Sequence, residues 1–229
     1  EDQYKRIKSA DNKNMAVLRF YNRFYRSTED WVRLQNNLKI MKTAVQGSYR
    51  ELAIVRELAD ISENKIGNAT KAINEWNQLM KEGRFVAEAR EALIGLYTRV
   101  QKWSALIDIY KNDMEALPAD DKVNRIALLR KCIDIYDKEL KQDQMVTKMY
   151  SQILELDPSN EEAANELVKR YEENKSWNSL LHILDQIATM TTDKDKAIDT
   201  YYHIASIFSS NLGNVAKSIE PLTHIIELD

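Results

Sequence analysis

The stretch YEENKSWNSL, residues 171–180, places a Trp six residues after a Tyr and a Leu three residues after that Trp. The same frame recurs as Tyr25/Trp31/Leu34 and Tyr97/Trp103/Leu106, so three of the chain's four Trp sit in it. The step from Trp31 to Trp103 nearly equals the step from Trp103 to Trp177. A second frame lies between them. ADISENKIGN (59–68), IDIYDKELKQ (133–142) and IASIFSSNLG (204–213) put Ile66, Leu140 and Leu212 in one slot, at nearly the same two steps. Self-similarity at a fixed period marks a repeat architecture. The unit therefore contains two half-units, one with a Trp and one without, each of about 34 residues.

The half-units read as helix pairs. Ala164, Leu167, Val168 and Tyr171 fall at i, i+3, i+4 and i+7, and Val146, Met149, Tyr150, Ile153, Leu154 and Leu156 make a second stripe. DPSNEE (157–162) punctuates them: Pro158 stops one helix, and Ser159 is expected to cap the next, with Glu162 three residues on as a capping box. With 5 Gly and 3 Pro in 229 residues, the turn residues of a β-rich fold are scarce. The sequence predicts a helix fault at Pro221, a kink or a late start, because proline has no N–H to give one turn back.

At this period and phase the chain resembles the tetratricopeptide repeat family, whose pattern is W-x2-L-G-x2-Y, a small residue, an aromatic and Pro over about 34 residues. The half-units are 15–48, 53–86, 87–120, 127–160, 161–194 and 199–229, with segments 49–52, 121–126 and 195–198 read as short insertions. Residues 1–14 fit the tail of a preceding unit, with Tyr4 and Ile7 in the slots of Tyr150 and Ile153, so an excerpt of a longer array is expected. The slots that carry the resemblance include Tyr21, Tyr25, Ala59, Trp76, Tyr97, Pro118, Tyr150, Pro158 and Tyr171. The first family Trp slot departs from the pattern, holding Leu18, Arg56, Arg90, Arg130, Ala164 and Tyr202. The resemblance implies an all-α, right-handed superhelical solenoid of about six stacked antiparallel helix hairpins over 1–229.

Chemistry is hard to place on this chain. His182, His203 and His224 are evenly but widely separated, which is no metal spacing, and the single Cys132 lies beside a packing stripe without a His partner nearby in sequence. No phosphate-binding glycine loop or serine-nucleophile motif is present, so neither catalysis nor a cofactor is expected. The 33 basic and 36 acidic residues are interleaved, which argues against nucleic acid. No apolar run reaches the about 18 residues of a membrane span.

What remains is binding. In tetratricopeptide proteins the free face of each first helix lines a concave groove. By resemblance the groove set here is Arg19, Arg23 and Arg26; Glu57, Ile61 and Asn64; Glu91, Gly95 and Arg99; Lys131, Ile135 and Lys138; Asn165, Lys169 and Glu172; His203, Ile207 and Ser210. Each triple keeps to one helix face. The three Arg suit a carboxylate or acidic segment, and Gly95 is a candidate for close approach by another chain. The expected role is a protein-interaction scaffold that takes a peptide or protein segment in the groove. Self-assembly, or service as the recognition arm of an enzyme, is the alternative.

Overall fold

The helices follow the half-units. The computed structural model describes residues 2–228, with the side chains of Asp2, Lys5 and Lys8 outside that description. Helix α1 is Asp2–Ala10; α2 (Met15–Ser27) and α3 (Trp31–Ala44) fill the first half-unit; α4 (Tyr49–Asp60) and α5 (Ala69–Lys81) fill the second. Then come α6 (Val86–Arg99), α7 (Trp103–Ala116), α8 (Lys122–Asp134), α9 (Asp143–Leu156), α10 (Glu161–Glu173), α11 (Trp177–Met190), α12 (Lys194–Ser206) and α13 (Ile219–Leu228). The fold is all-α, and the described residues contain no strand. The chain divides into two compact units, Glu1–Ile109 and Tyr110–Asp229, with the division inside α7.

One backbone device repeats between the paired helices. Glu29, Gly67, Gln101, Lys141, Lys175 and Gly213 occupy the same slot of the six half-units, and all have φ between +52° and +72°. This left-handed residue ends the first helix and aims the chain into the second. Asp30, Asn68 and Asn214 follow it and accept the N–H of Arg33, Lys71 and Lys217 on their side chains, capping the second helix.

The two kinds of half-unit reach that residue differently. In the Trp-containing kind, the N–H after the left-handed residue bonds five residues back: Asp30 to Tyr25 O (2.9 Å), Lys102 to Tyr97 O (2.8 Å) and Ser176 to Tyr171 O (2.8 Å). In the other kind a π-helical turn intervenes, at Ile61–Lys65, Ile135–Glu139 and Ile207–Asn211. The closing bond then spans six residues: Asn68 to Ser62 O (2.7 Å), Gln142 to Tyr136 O (2.9 Å) and Asn214 to Phe208 O (2.7 Å). A π-turn holds one residue more than an α-turn and rotates the side chains around it.

The first helices of the π-containing half-units also begin early. Helices α4, α8 and α12 start at Tyr49, Lys122 and Lys194, so segments 49–52, 121–126 and 195–198 are almost wholly helical rather than looped. Asp121 and Asp193 cap two of these starts. The extra turn is hidden in the sequence because a polar first turn reads like a linker.

The frame Tyr–x5–Trp–x2–Leu is a packing device. Leu34, Leu106 and Leu180 are 0%, 3% and 0% exposed. In Glu1–Ile109 a core of Val17, Leu18, Tyr21, Tyr25, Leu34, Leu38, Leu58 and Ile61 gathers Trp31 at its edge. In Tyr110–Asp229 Leu180, Leu184, Tyr201, Ile204, Ile207 and Ile225 join helices α11 to α13, with Tyr171 and Trp177 packed against them. Burying such side chains is the dominant favourable contribution to folding, at roughly 1.5–3 kcal/mol for each large one. Two buried polar threads cross the first core: Asn37 donates to Asn22 Oδ1 (2.5 Å) and to Leu18 O (2.8 Å), and Gln35 donates to Ser62 Oγ (2.8 Å), which donates to Glu75 (2.7 Å). Pro221 produces the late start: a 3₁₀ turn, Val215–Ser218, precedes α13, and the proline falls in the helix's first turn, where no N–H is required.

Candidate partner-binding surface

The first helices expose a face whose charges are mostly paired with the next first helix along. Arg26 bonds Glu57, Arg56 holds Glu88 at 2.7 Å, and Arg99 reaches Glu63 at 4.0 Å. In the second unit Arg130 meets Glu162 at 2.5 Å, Arg170 meets Asp137 at 3.4 Å, and His203 meets Glu172 at 2.9 Å. Lys196 and Glu161 close at 2.6 Å. The hydrogen bond from Arg56 to Glu88 raises that guanidinium's pKa. Such exposed pairs are worth about 0–1 kcal/mol each. The sequence carries a signal for them: Arg26/Glu57, Arg56/Glu88 and Arg130/Glu162 are opposite charges 31 or 32 residues apart, nearly one half-unit.

Against this ladder, Arg19 and Arg23 stand out. They lie four residues apart on the exposed side of α2, and among the described residues neither has an ion pair or hydrogen bond. Two turns of cationic surface are thus left unneutralised beside the Arg26–Glu57 pair.

The structure distributes the remaining expected groove residues unevenly. Ile61, Ile135 and Ile207 are 3%, 7% and 2% exposed, so they belong to the core and not to a groove. Each continues the buried i, i+4, i+7 stripe of its helix, Ile54/Leu58/Ile61, Leu128/Cys132/Ile135 and Thr200/Ile204/Ile207. Arg23, Gly95 and Lys169 hold the equivalent slot in the Trp-containing half-units and are exposed. The expected placement of these three residues in the groove is therefore corrected to the core. Asn64 is engaged by Asp60 (2.8 Å) and Lys138 by Asp134 (2.6 Å), and Lys131 lies over the Tyr110 ring at 5.4 Å. Glu91, Asn165 and Ser210 are exposed. A Cβ on Gly95 would meet nothing within 4 Å, so no close neighbour requires that glycine.

Asn165 also lines a cavity of about 210 Å³ with Pro158, Asn160, Gln186, Met190 and Lys196, at the turns that enter α10 and α12. A larger crevice of about 620 Å³ runs along α9 and is lined by Met114, Arg125, Met145, Lys148 and Met149. Cys132 is fully buried, and burial pushes its thiol up to about 11, which leaves it a protonated core residue. His182 on α11 and His224 on α13 line one cavity with Asp185 and Glu220, while His203 sits apart with Glu172. Among the described residues no group of three or more potential ligands could hold a metal ion, and no helix is long and apolar enough to cross a membrane.

No protein-family model matches the sequence, and no curated protein matches it. Solved structures do. A tetratricopeptide repeat protein from Parabacteroides merdae is 15% identical, with 93% of this chain and 78% of that one covered, at a TM-score of 0.40. YrrB, described as a tetratricopeptide protein with an unusual peptide-binding site, is 11% identical over 87% of this chain and 97% of its own, at 0.35. The tetratricopeptide domain of P58(IPK) is 15% identical over 97% and 68%, at 0.38.

Proposed function

We propose that this chain is a protein-interaction module, and that the exposed first-helix face of Glu1–Ile109 binds an acidic protein segment with Arg19 and Arg23 as anchors. The observation that carries this reading is the ladder with its exception. Basic groups farther along that face answer to acids of the neighbouring helix, whereas these two guanidiniums have no such partner among the described residues. Guanidinium binds carboxylate in bidentate, charge-assisted geometry. The face is built on helices, so little ordering cost opposes binding. The balanced composition speaks for a carboxylate partner over a phosphate backbone.

The test is fluorescence anisotropy with a labelled oligoglutamate peptide and, separately, a single-stranded oligonucleotide, at about 50 and 150 mM salt. The reading expects saturable peptide binding that weakens with salt and falls at least about tenfold in Arg19→Glu/Arg23→Glu. Equal binding by the variant, or preference for the oligonucleotide, would refute it. Concentration-dependent self-association without peptide binding would support a self-assembly role instead.

A further inference from the structure

The crevice of about 620 Å³ along α9 lies wholly within Tyr110–Asp229, between α7 and α9, with Leu129 of α8 at its floor. Hairpins precede and follow it in sequence, so its openness does not depend on where the array begins or ends. Its α9 wall is one helix face that runs from Met145 to Leu156, a length of about 16 Å. Its α7 wall is Lys111, Met114 and Glu115.

Three of the chain's seven Met meet in this crevice, and the repeat does not ask for them. The slot of Met145 holds Arg33, Lys71, Ala105, Ser179 and Lys217 in the other half-units, all small or polar. Hairpin packing is thus satisfied without a long apolar side chain there. Met145 and Met114 are nonetheless half-buried at the crevice, beside a buried Met149. Met adapts its shape to irregular partners and is enriched at interaction surfaces.

The charges of the crevice are unspent. The slot of Lys148 holds Asn36, Asn74, Asp108, His182 and Glu220 elsewhere, so this lysine too is particular to one joint. Lys148, Glu115 and Glu155 are exposed, and none has an ion pair or hydrogen bond among the described residues. Lys111 donates to the Tyr136 hydroxyl at 3.5 Å, and Arg125 is committed to Leu117 O and Pro118 O at 3.0 and 3.1 Å. Lys111 precedes Glu115 by about one turn on α7, and Lys148 precedes Glu155 by about two turns on α9. Both are second helices of their hairpins and run in the same sense. The crevice therefore has a methionine-lined floor, with lysines toward one end and glutamates toward the other.

We infer that this crevice is a docking surface for an amphipathic helix of a partner protein, with large apolar residues on one face, glutamates over Lys111 and Lys148, and lysines over Glu115 and Glu155. Two helices that flank an apolar floor take a third by its apolar face. The unpaired charges at the two ends set its direction. This surface is separate from the Arg19 and Arg23 face and does not rest on that reading.

The test uses the full chain and labelled peptides of about 16 residues, long enough to span the crevice as a helix. The first carries a leucine stripe with glutamates at one end and lysines at the other. The second has the same composition with its charges interspersed. An isolated helix this short is marginal in water, so binding is read both as anisotropy and as a gain in far-UV helical signal. The expected result is saturable binding of the first peptide, coupled to helix formation, at least about fivefold tighter than the second. Met145→Ser introduces the residue type that Ser179 already supplies in this slot, so the variant folds. It should weaken binding at least about fivefold. Lys148→Glu, at an exposed position, should weaken the first peptide at least about threefold and strengthen a version whose glutamates are replaced by lysines. Absence of saturable binding, equal binding of the two peptides, or binding untouched by Met145→Ser would overturn the inference. Binding of laurate that Met145→Ser weakens, without binding of either peptide, would overturn the assigned occupant in favour of a small amphipathic ligand.

Discussion

Leu180→Ala attacks the repeat at the frame where its period is most visible. The side chain is 0% exposed and sits in the core that joins α11 to Tyr201, Ile204 and Ile207 and to Ile225 of α13. The change removes three carbon atoms. At about 0.8 kcal/mol per buried methylene, the transfer loss alone is about 2.4 kcal/mol. A cavity that relaxes only in part adds to it, which brings the expected loss to about 3–4 kcal/mol. Stacked hairpins contact mainly their neighbours, so the loss falls first on α12 and α13. Urea denaturation followed by far-UV circular dichroism gives the total, and hydrogen exchange gives its distribution. The amides of α12 and α13 are expected to lose protection while those of α8 and α9 keep theirs. Ile226→Ala, at 77% exposure, is the matched control and should shift stability by under about 0.5 kcal/mol. A change below about 1 kcal/mol for Leu180→Ala, or a loss of protection spread evenly over the chain, would refute both the burial and the nearest-neighbour reasoning.

Other expectations follow from local geometry. Lys141→Gly and Lys175→Gly relieve side chains held at φ +52° and +54°, and each should stabilise by roughly 1 kcal/mol in thermal or urea unfolding. Gly213→Ala, at φ +63°, should destabilise by a similar amount although its Cβ would meet nothing within 4 Å, which isolates the backbone contribution. The Cys132 thiol is held protonated by burial up to about pH 11. The unfolded chain ionises first, so this contribution is intact below the ordinary thiol range and declines as pH rises toward 11. Urea unfolding of wild type and Cys132→Ala across the alkaline range should show the decline reduced in the variant. Burial raises the Glu75 carboxyl pKa against the lowering effect of its bond from Ser62. Glu75→Gln should therefore raise stability at neutral pH, with the gap closing as the pH falls and the wild-type carboxyl takes up its proton.

The paired helices are legible in the sequence because apolar spacing reports helices directly, and Pro158 and Asp157 mark an end between them; the starts of α4, α8 and α12 are not, because their polar first turns read as insertions. The π-turns are not, since a single extra residue leaves the apolar pattern almost unchanged over its length. Ile61, Ile135 and Ile207 fall on the wrong face because their slots are carried over from the Trp-containing half-units, whose first helices bury a different stripe, Val17/Tyr21/Tyr25 rather than Ile54/Leu58/Ile61. The left-handed residues are half legible: Gly67 and Gly213 advertise the conformation, whereas Glu29, Gln101, Lys141 and Lys175 are long polar side chains that read as ordinary helix surface. On the candidate site, the spacing places Arg19, Arg23 and Arg26 on one face. Their difference lies in the acids opposite them, Glu57 serving Arg26 alone, and pairing across helices is a tertiary fact.

The alternation of ordinary and π-containing turns sets the grain at which such a protein can be lengthened. A single hairpin copied in tandem would bring two joints of the same kind together and set a left-handed turn reached by one route against a helix shaped for the other. A copied pair restores both. Fusion, grafting or truncation of this chain is thus best made in whole pairs of hairpins, such as α2 through α5, repeated at the Trp31-to-Trp103 spacing at which its Trp and its π-turns each return to register.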